Sequence, residues 1–181
     1  MVQGAFEGIV RERAGFGLID CDVHNTVPSV EALFPYLSDR WCDYAVEHGV
    51  TSLEPNYYPA GAPLSAKPGS KPKSGSPPGS DLDMLRSQLL DPWGVRYAVL
   101  NCLYGVQLIH NDDWAAAMAR AINDWLAAEW LEKEPRLKAS IVVAPRNPEM
   151  AAEEIERVAD HPGFVQILLL ARTEMPLGKR H

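Results

Sequence analysis

The chain has 181 residues, a formal charge of −7 and a pI near 5.2, with 46% hydrophobic and 23% charged residues. Such a chain is long enough for one domain with a real core, and its acidic balance leaves no basic face for phosphates, so nucleic acid is not expected as a partner. No apolar run nears the ~20 residues that span a bilayer, and Glu7, Arg11, Glu12 and Arg13 occupy the place of an apolar leader.

Taken in chain order, residues 16–20 form a short apolar run that predicts a buried strand. Residues 28–37 predict a short helix with Ser29 as its cap. Residues 59–80 differ from the rest: six of these 22 are Pro, four Gly and five Ser. Such a stretch has too little apolar surface for a regular element, and reads as a flexible insertion, either a plain loop or a lid beside a site. Residues 81–90 predict a helix with Leu82, Leu85, Leu89 and Leu90 on one face, stopped by Asp91-Pro92-Trp93-Gly94. Residues 95–100 predict the second strand.

Asn111-Asp112-Asp113 opens a long helix, because short polar side chains accept bonds from the free N–H groups of a first turn. Trp114, Met118, Ile122, Trp125 and Leu126 follow at helical spacing, and the helix ends between Glu132 and Pro135. The aromatic stripe reads as a face packed on a sheet. Residues 139–144 predict the third strand. Asn147-Pro148 is a helix start, Ala151, Ile155, Val158 and Ala159 its buried stripe, and Asp160-His161-Pro162-Gly163 its end. Residues 164–170 predict the fourth strand.

The strands are continuous apolar runs, as expected where both faces are covered, and each gap between them holds a helix. This predicts one α/β domain over residues 1–181 with a parallel sheet. A doubly wound sheet and a (β/α) barrel both fit.

In either architecture, a site lies at the carboxyl ends of the strands. The first strand runs into Asp20-Cys21-Asp22-Val23-His24-Asn25. Residues i and i+2 of an extended chain share a side. Asp22 and His24 can thus offer an oxygen and a nitrogen to one metal ion, with Asp20 behind them as a supporting partner. Asp and His are also common in turns, so spacing alone is a weak signal. Cys21 would face the other way as a buried small hydrophobe. The three cysteines, Cys21, Cys42 and Cys102, lack CxxC spacing and predict reduced thiols in a cytoplasmic protein.

No Gly-x-Gly-x-x-Gly turn, P-loop or Gly-x-Ser-x-Gly elbow is present. After the other strands come Asn101, Arg146 and Arg172 as candidates for substrate binding, the arginines through bidentate bonds to a carboxylate. His48, His110 and His161 read as structural or solvent-facing.

The run Leu18-Ile19-Asp20-Cys21-Asp22-Val23-His24-Asn25 resembles the first strand of the metal-dependent amidohydrolase superfamily. The similarity is to the branch holding aminocarboxymuconate-semialdehyde decarboxylase and resorcylate-type decarboxylases. Ala144-Pro145-Arg146-Asn147-Pro148-Glu149, the helix after it, Gly163-Phe164-Val165 and Pro176-Leu177-Gly178 resemble the same branch.

The resemblance implies a (β/α)₈ TIM-type barrel with Zn²⁺ or Mn²⁺ at its carboxyl face. Asp22 stands where family members usually have the first histidine of H-x-H, a position that related decarboxylases also fill with a carboxylate. Further histidines from the fifth and sixth strands and an aspartate from the eighth complete the family's site. The expectation is therefore the N-terminal part, about four β/α units, of a barrel completed by more chain or by another copy. The implied activity, once the barrel is complete, is metal-dependent hydrolysis or non-oxidative decarboxylation of a small carboxylate-bearing or cyclic substrate. A non-catalytic half barrel or an α/β binding module is the alternative.

Overall fold

A computed structural model describes residues 17–53 and 68–170. Phe16, Arg172 and the first part of the Pro/Gly/Ser-rich stretch lie outside those residues.

Strand β1 (Leu18–Val23) is followed by a 3₁₀ turn, Val30–Tyr36, with Pro35 inside it. Ser29 precedes that turn but its side chain makes no cap bond. Helix α1 (Asp39–Glu47) comes next. Its sequence carries Trp41, Tyr44 and Ala45 at helical spacing, yet only Ala45 is fully buried. So short an apolar stripe within DRWCDYAVE escapes a periodicity reading. Helix α2 (Leu82–Leu85) is capped by Asp81, whose Oδ1 accepts from Met84 N at 2.9 Å, and it widens into a π turn over Arg86–Leu90.

Strand β2 (Val95–Leu100) leads through a second 3₁₀ turn to helix α3 (Asp112–Leu126). Asn111 caps α3 as the sequence predicts, its Oδ1 accepting from Trp114 N at 3.0 Å. A π turn, Ala127–Leu131, closes it. Strand β3 (Leu137–Val142), helix α4 (Pro148–Val158) and strand β4 (Phe164–Leu168) complete the order. Asn147 caps α4, accepting from Met150 N at 3.1 Å, and Pro148 takes the first helical position.

The sheet is wholly parallel with the order β1-β2-β3-β4. That order decides between the two architectures. A doubly wound sheet starts in its middle and reverses direction, whereas a barrel adds each strand beside the last. Right-handed crossovers in sequential order set every helix on one face, and α3 and α4 pack on each other accordingly. The main core lies between that helical layer and β2 and β3. Met118, Ile122 and Leu126 of α3 meet Ala98, Leu100, Leu137 and Val142 of the sheet there. Each fully buried side chain of this size contributes about 1.5–3 kcal/mol.

Two corrections to the sequence reading follow from the strand order. Only β2 and β3 are well covered. In β1 just Val23 is buried, and in β4 no residue is. These are the edge strands, each with one neighbour, and Ile19, Val165, Ile167 and Leu169 stand exposed. For the same reason Cys21 is exposed, not a buried hydrophobe.

Candidate functional site

One polar chain crosses the four strands, from interior positions on β3 and β4 to the carboxyl ends of β2 and β1. On β1, Asp22 is the penultimate residue and His24 the first beyond the strand. Their side chains touch, with Asp22 Oδ1 3.0 Å from His24 Nε2. Asn101 follows β2 and donates from Nδ2 to the same Asp22 Oδ1 at 2.8 Å. Ser140 of β3 donates to Asn101 Oδ1 at 2.5 Å, and Gln166 of β4 donates to Ser140 Oγ at 2.9 Å. The line Gln166–Ser140–Asn101–Asp22–His24 thus crosses the whole sheet.

Asn101 and Ser140 are buried, whereas the Asp22 and His24 side chains are 73% and 58% exposed. The middle of the line is therefore shielded from water, and its Asp22–His24 end is open to solvent. The Asn101 amide, together with the adjacent His24 ring, holds the Asp22 carboxyl below its usual range. Asp22 is therefore anionic at neutral pH, as a metal ligand must be.

Asp20 meets Asp22 at the backbone and not at the carboxylate. Its Oδ1 accepts from the Asp22 backbone N–H at 3.1 Å, and the β1–β2 register shifts between Asp20 and Val23. Asn101 is the residue that bonds the Asp22 carboxylate, and its amide is committed at both ends within the protein. Arg146 lies beyond β3 with Nε 4.0 Å from Asp112 Oδ1, at the first turn of α3. Arg172 lies outside the described residues. His48 stacks on Tyr44, and His161 accepts from Gly163 N and packs on Phe164, so both are structural. His110 is exposed.

Ser140 and Gln166 were not among the sequence candidates. Their signal was a polar residue interrupting a continuous apolar strand, Ala139-Ser140-Ile141 and Val165-Gln166-Ile167.

The far end of the Pro/Gly/Ser-rich stretch packs against this site. Gly79 accepts at its carbonyl from Thr26 N at 3.1 Å, and a Cβ at Gly79 would stand 2.8 Å from His24 O. A cavity of about 560 Å³ opens beside His24 and is lined by Asn25, Gly79, Met84, Leu89 and Trp93 among others. Asn25 is 3% exposed, and neither of its amide atoms has a hydrogen-bond partner among the described residues.

The donor set tests whether a divalent cation fits. An anionic carboxylate oxygen and an imidazole nitrogen, adjacent and open to solvent, are ligands that Zn²⁺ and Mn²⁺ accept. They make half a coordination shell: among the described residues no group of three or more His, Cys, Asp or Glu converges.

Comparison with known proteins bears on the same point. Residues 19–181 match the family model described as Amidohydrolase. Over 90 residues, 49% of this chain and 28% of the relative, the sequence is 31% identical to a gamma-resorcylate decarboxylase of Polaromonas sp. (strain JS666 / ATCC BAA-500). The fold is similar to a crystal structure of 5-carboxyvanillate decarboxylase from Novosphingobium aromaticivorans DSM 12444, complexed with manganese and 4-hydroxy-3-methoxy-5-nitrobenzoic acid. The TM-score is 0.62 at 24% identity, covering 90% of this chain and 44% of that one. A mutant of the same enzyme, also with bound manganese, gives a TM-score of 0.60 at 25% identity. The chain thus spans less than half the length of the decarboxylases it resembles. Its four-stranded parallel α/β sheet is similar in fold to the matched part of the 5-carboxyvanillate decarboxylase, and the chain belongs to the amidohydrolase family.

Proposed function

We propose that this chain carries the β1 side of a divalent-cation site in a carboxy-lyase, one that removes CO₂ without oxidation from a small ring carboxylate. The observation that carries the reading is the Asp22–His24 pair at the carboxyl end of β1, held from β2 by Asn101. Mn²⁺ or Zn²⁺ bound there would polarise a substrate oxygen and offset the charge that builds as the carboxyl group leaves. The chain's own residues have separate tasks. Asp22 offers an anionic oxygen and His24 a ring nitrogen. Asn101 keeps the carboxylate aimed. Arg146, and Arg172 beyond the described residues, would grip the substrate carboxylate through paired N–H donors. The cavity beside His24 is of a size that takes one small ring. The remaining ligands come from the rest of the barrel, whether further chain or a second copy.

Two measurements test this. Titration of the protein with Mn²⁺, followed by the loss of the free-ion EPR signal, should show a site that Asp22→Asn and His24→Ala each weaken by about 10-fold or more. Release of labelled CO₂ from γ-resorcylate or 5-carboxyvanillate by the Mn²⁺-loaded complete barrel should vanish in the same variants. Mn²⁺ binding indifferent to Asp22 would sink the metal reading. Hydrolysis of an amide or ester with no CO₂ from either acid would leave the metal site and replace the lyase by a hydrolase.

A further inference from the structure

We propose that Ser140 and Gln166 are positioning residues for the Asp22 carboxylate, acting through Asn101. The proposal rests on the reading of Asp22 as a cation ligand, and it says how that ligand is aimed.

The argument is one of donor and acceptor bookkeeping. A side-chain amide can be turned end for end with little change of shape, so a lone Asn101 could meet Asp22 with either its NH₂ or its oxygen. An oxygen facing a carboxylate repels it. The neighbours remove that choice. Asp22 only accepts, so Asn101 turns Nδ2 towards it, and the Ser140 hydroxyl secures that orientation by donating to Asn101 Oδ1 at 2.5 Å while its own oxygen takes Gln166 Nε2 at 2.9 Å. With its oxygen engaged, Asn101 presents Nδ2 to Asp22 Oδ1 at 2.8 Å. Every link runs in one sense, from an amide on β4 to an anion on β1, and donors chained in this way polarise one another.

The consequence falls on the carboxylate. Oδ1 takes both the Asn101 amide and the His24 ring, and among the described residues Oδ2 has no partner. The chain thus fixes which oxygen is left for a cation. Burial protects the arrangement, because Ser140 is fully buried and Asn101 is 8% exposed, so water does not compete for the middle links. Gln166 is exposed, at the far end of the line, and its amide bonds Ser140.

The test uses Mn²⁺ EPR titration together with the ¹⁵N–¹H resonances of the Asn101 side-chain amide, assigned by their loss in Asn101→Leu. The variants are Ser140→Ala, Ser140→Thr, Gln166→Leu and Asp22→Asn. Ser140→Ala should weaken Mn²⁺ binding about 10-fold, the low end for a lost supporting partner. Ser140→Thr keeps the hydroxyl and should restore binding to within about 3-fold of the parent. Gln166→Leu, two links from the carboxylate and at an exposed position, should still move the Asn101 amide resonances. A merely structural role for Gln166 would not move them. If Ser140→Ala does not fold, the Gln166→Leu resonances and its Mn²⁺ affinity decide the matter. The proposal is overturned if Mn²⁺ binding depends on Asp22 yet the Ser140→Ala and Gln166→Leu proteins bind like the parent with unmoved Asn101 resonances. Mn²⁺ binding that ignores Asp22→Asn would instead overturn the parent reading, a result distinct from the first.

Discussion

Asn123 offers the most direct check on how β3 is held under the site. It sits on α3 with no exposed surface. Its Nδ2 donates to Val142 O at 2.9 Å, and its Oδ1 accepts from Val142 N at 2.9 Å. A strand neighbour would make that same pair of bonds. The β2–β3 pairing runs out at Leu100 and Ala139, so Val142 has no β2 residue opposite it. The Asn123 amide takes the place of the two peptide groups that a parallel neighbour would offer to Val142. Asn123→Leu keeps the bulk and removes both bonds. Two buried backbone groups are then orphaned, each costing about 1–3 kcal/mol, and Glu154 loses one donor from Asn123 while keeping both bonds from Arg157. Allowing for the easier burial of leucine, the net loss is about 3 kcal/mol. For a chain of this size that lowers Tm by about 6–12 °C. The assay is urea and thermal unfolding followed by far-UV circular dichroism. Asn123→Asp should do at least as badly at neutral pH, because it sets a second carboxylate against Glu154. A leucine variant that melts within about 2 °C of the parent would refute the reasoning, since Val142 would then have found its bonds elsewhere.

Two further expectations concern other parts of the fold. Arg136 and Arg86 clamp Glu134 between them and hold its carboxyl at about 2, against an ordinary 4.5, so its contribution is complete above pH 4.5 and is lost as the pH falls from there towards 2. Urea titrations at stepped pH should show an acid loss of about 3 kcal/mol that Glu134→Gln lacks; parallel curves for the two proteins would contradict the assignment. Gly79 has φ +85° and a Cβ there would meet His24 O at 2.8 Å, whereas Gly75, at φ +90°, has nothing within 4 Å. Gly79→Ala should therefore cost more than Gly75→Ala, which carries only the ~1–2 kcal/mol of left-handed strain, and should also weaken Mn²⁺ binding by displacing His24; equal losses would mean that the close approach carries no energy.

Local chemistry made several elements legible. Asn111 and Asn147 announce α3 and α4 because a capping side chain acts within three residues of itself. The predicted strands are those observed, though β1 begins later and runs through Asp20, Cys21 and Asp22, while β3 begins at Leu137. Strand order was not legible, since parallel neighbours are chosen by crossovers and not by any residue's own preference. The site shows the same division. The spacing of Asp22 and His24 is local and readable. Their support is not, because Asn101, Ser140 and Gln166 come from three other strands and meet Asp22 only after the sheet has formed.

The edge strands carry the argument one step further. The apolar run of β4 reads like that of a strand covered on both faces, yet Val165 and Ile167, and Leu169 just beyond the strand, are each 43% exposed or more. Pattern and exposure disagree in β4 but agree in β3, where Ile141, with Val143 just beyond the strand, packs against Ala151 and Val158 of α4. The same composition thus meets a helix in one strand and none among the described residues in the next. A continuous apolar strand is stable only when something covers it. In the manganese-containing decarboxylase similar to this fold, the matched part is 44% of the chain. The unmatched part is where a barrel places the strands beside β1 and β4 and the helices over them. The proposed function gives the uncovered faces of β1 and β4 and the two-residue donor set at Asp22 and His24 one common cause. On the function proposed above, the described sheet would supply one side of a barrel, with Asp22 and His24 at its carboxyl end, where the other side would complete both the sheet and the cation site.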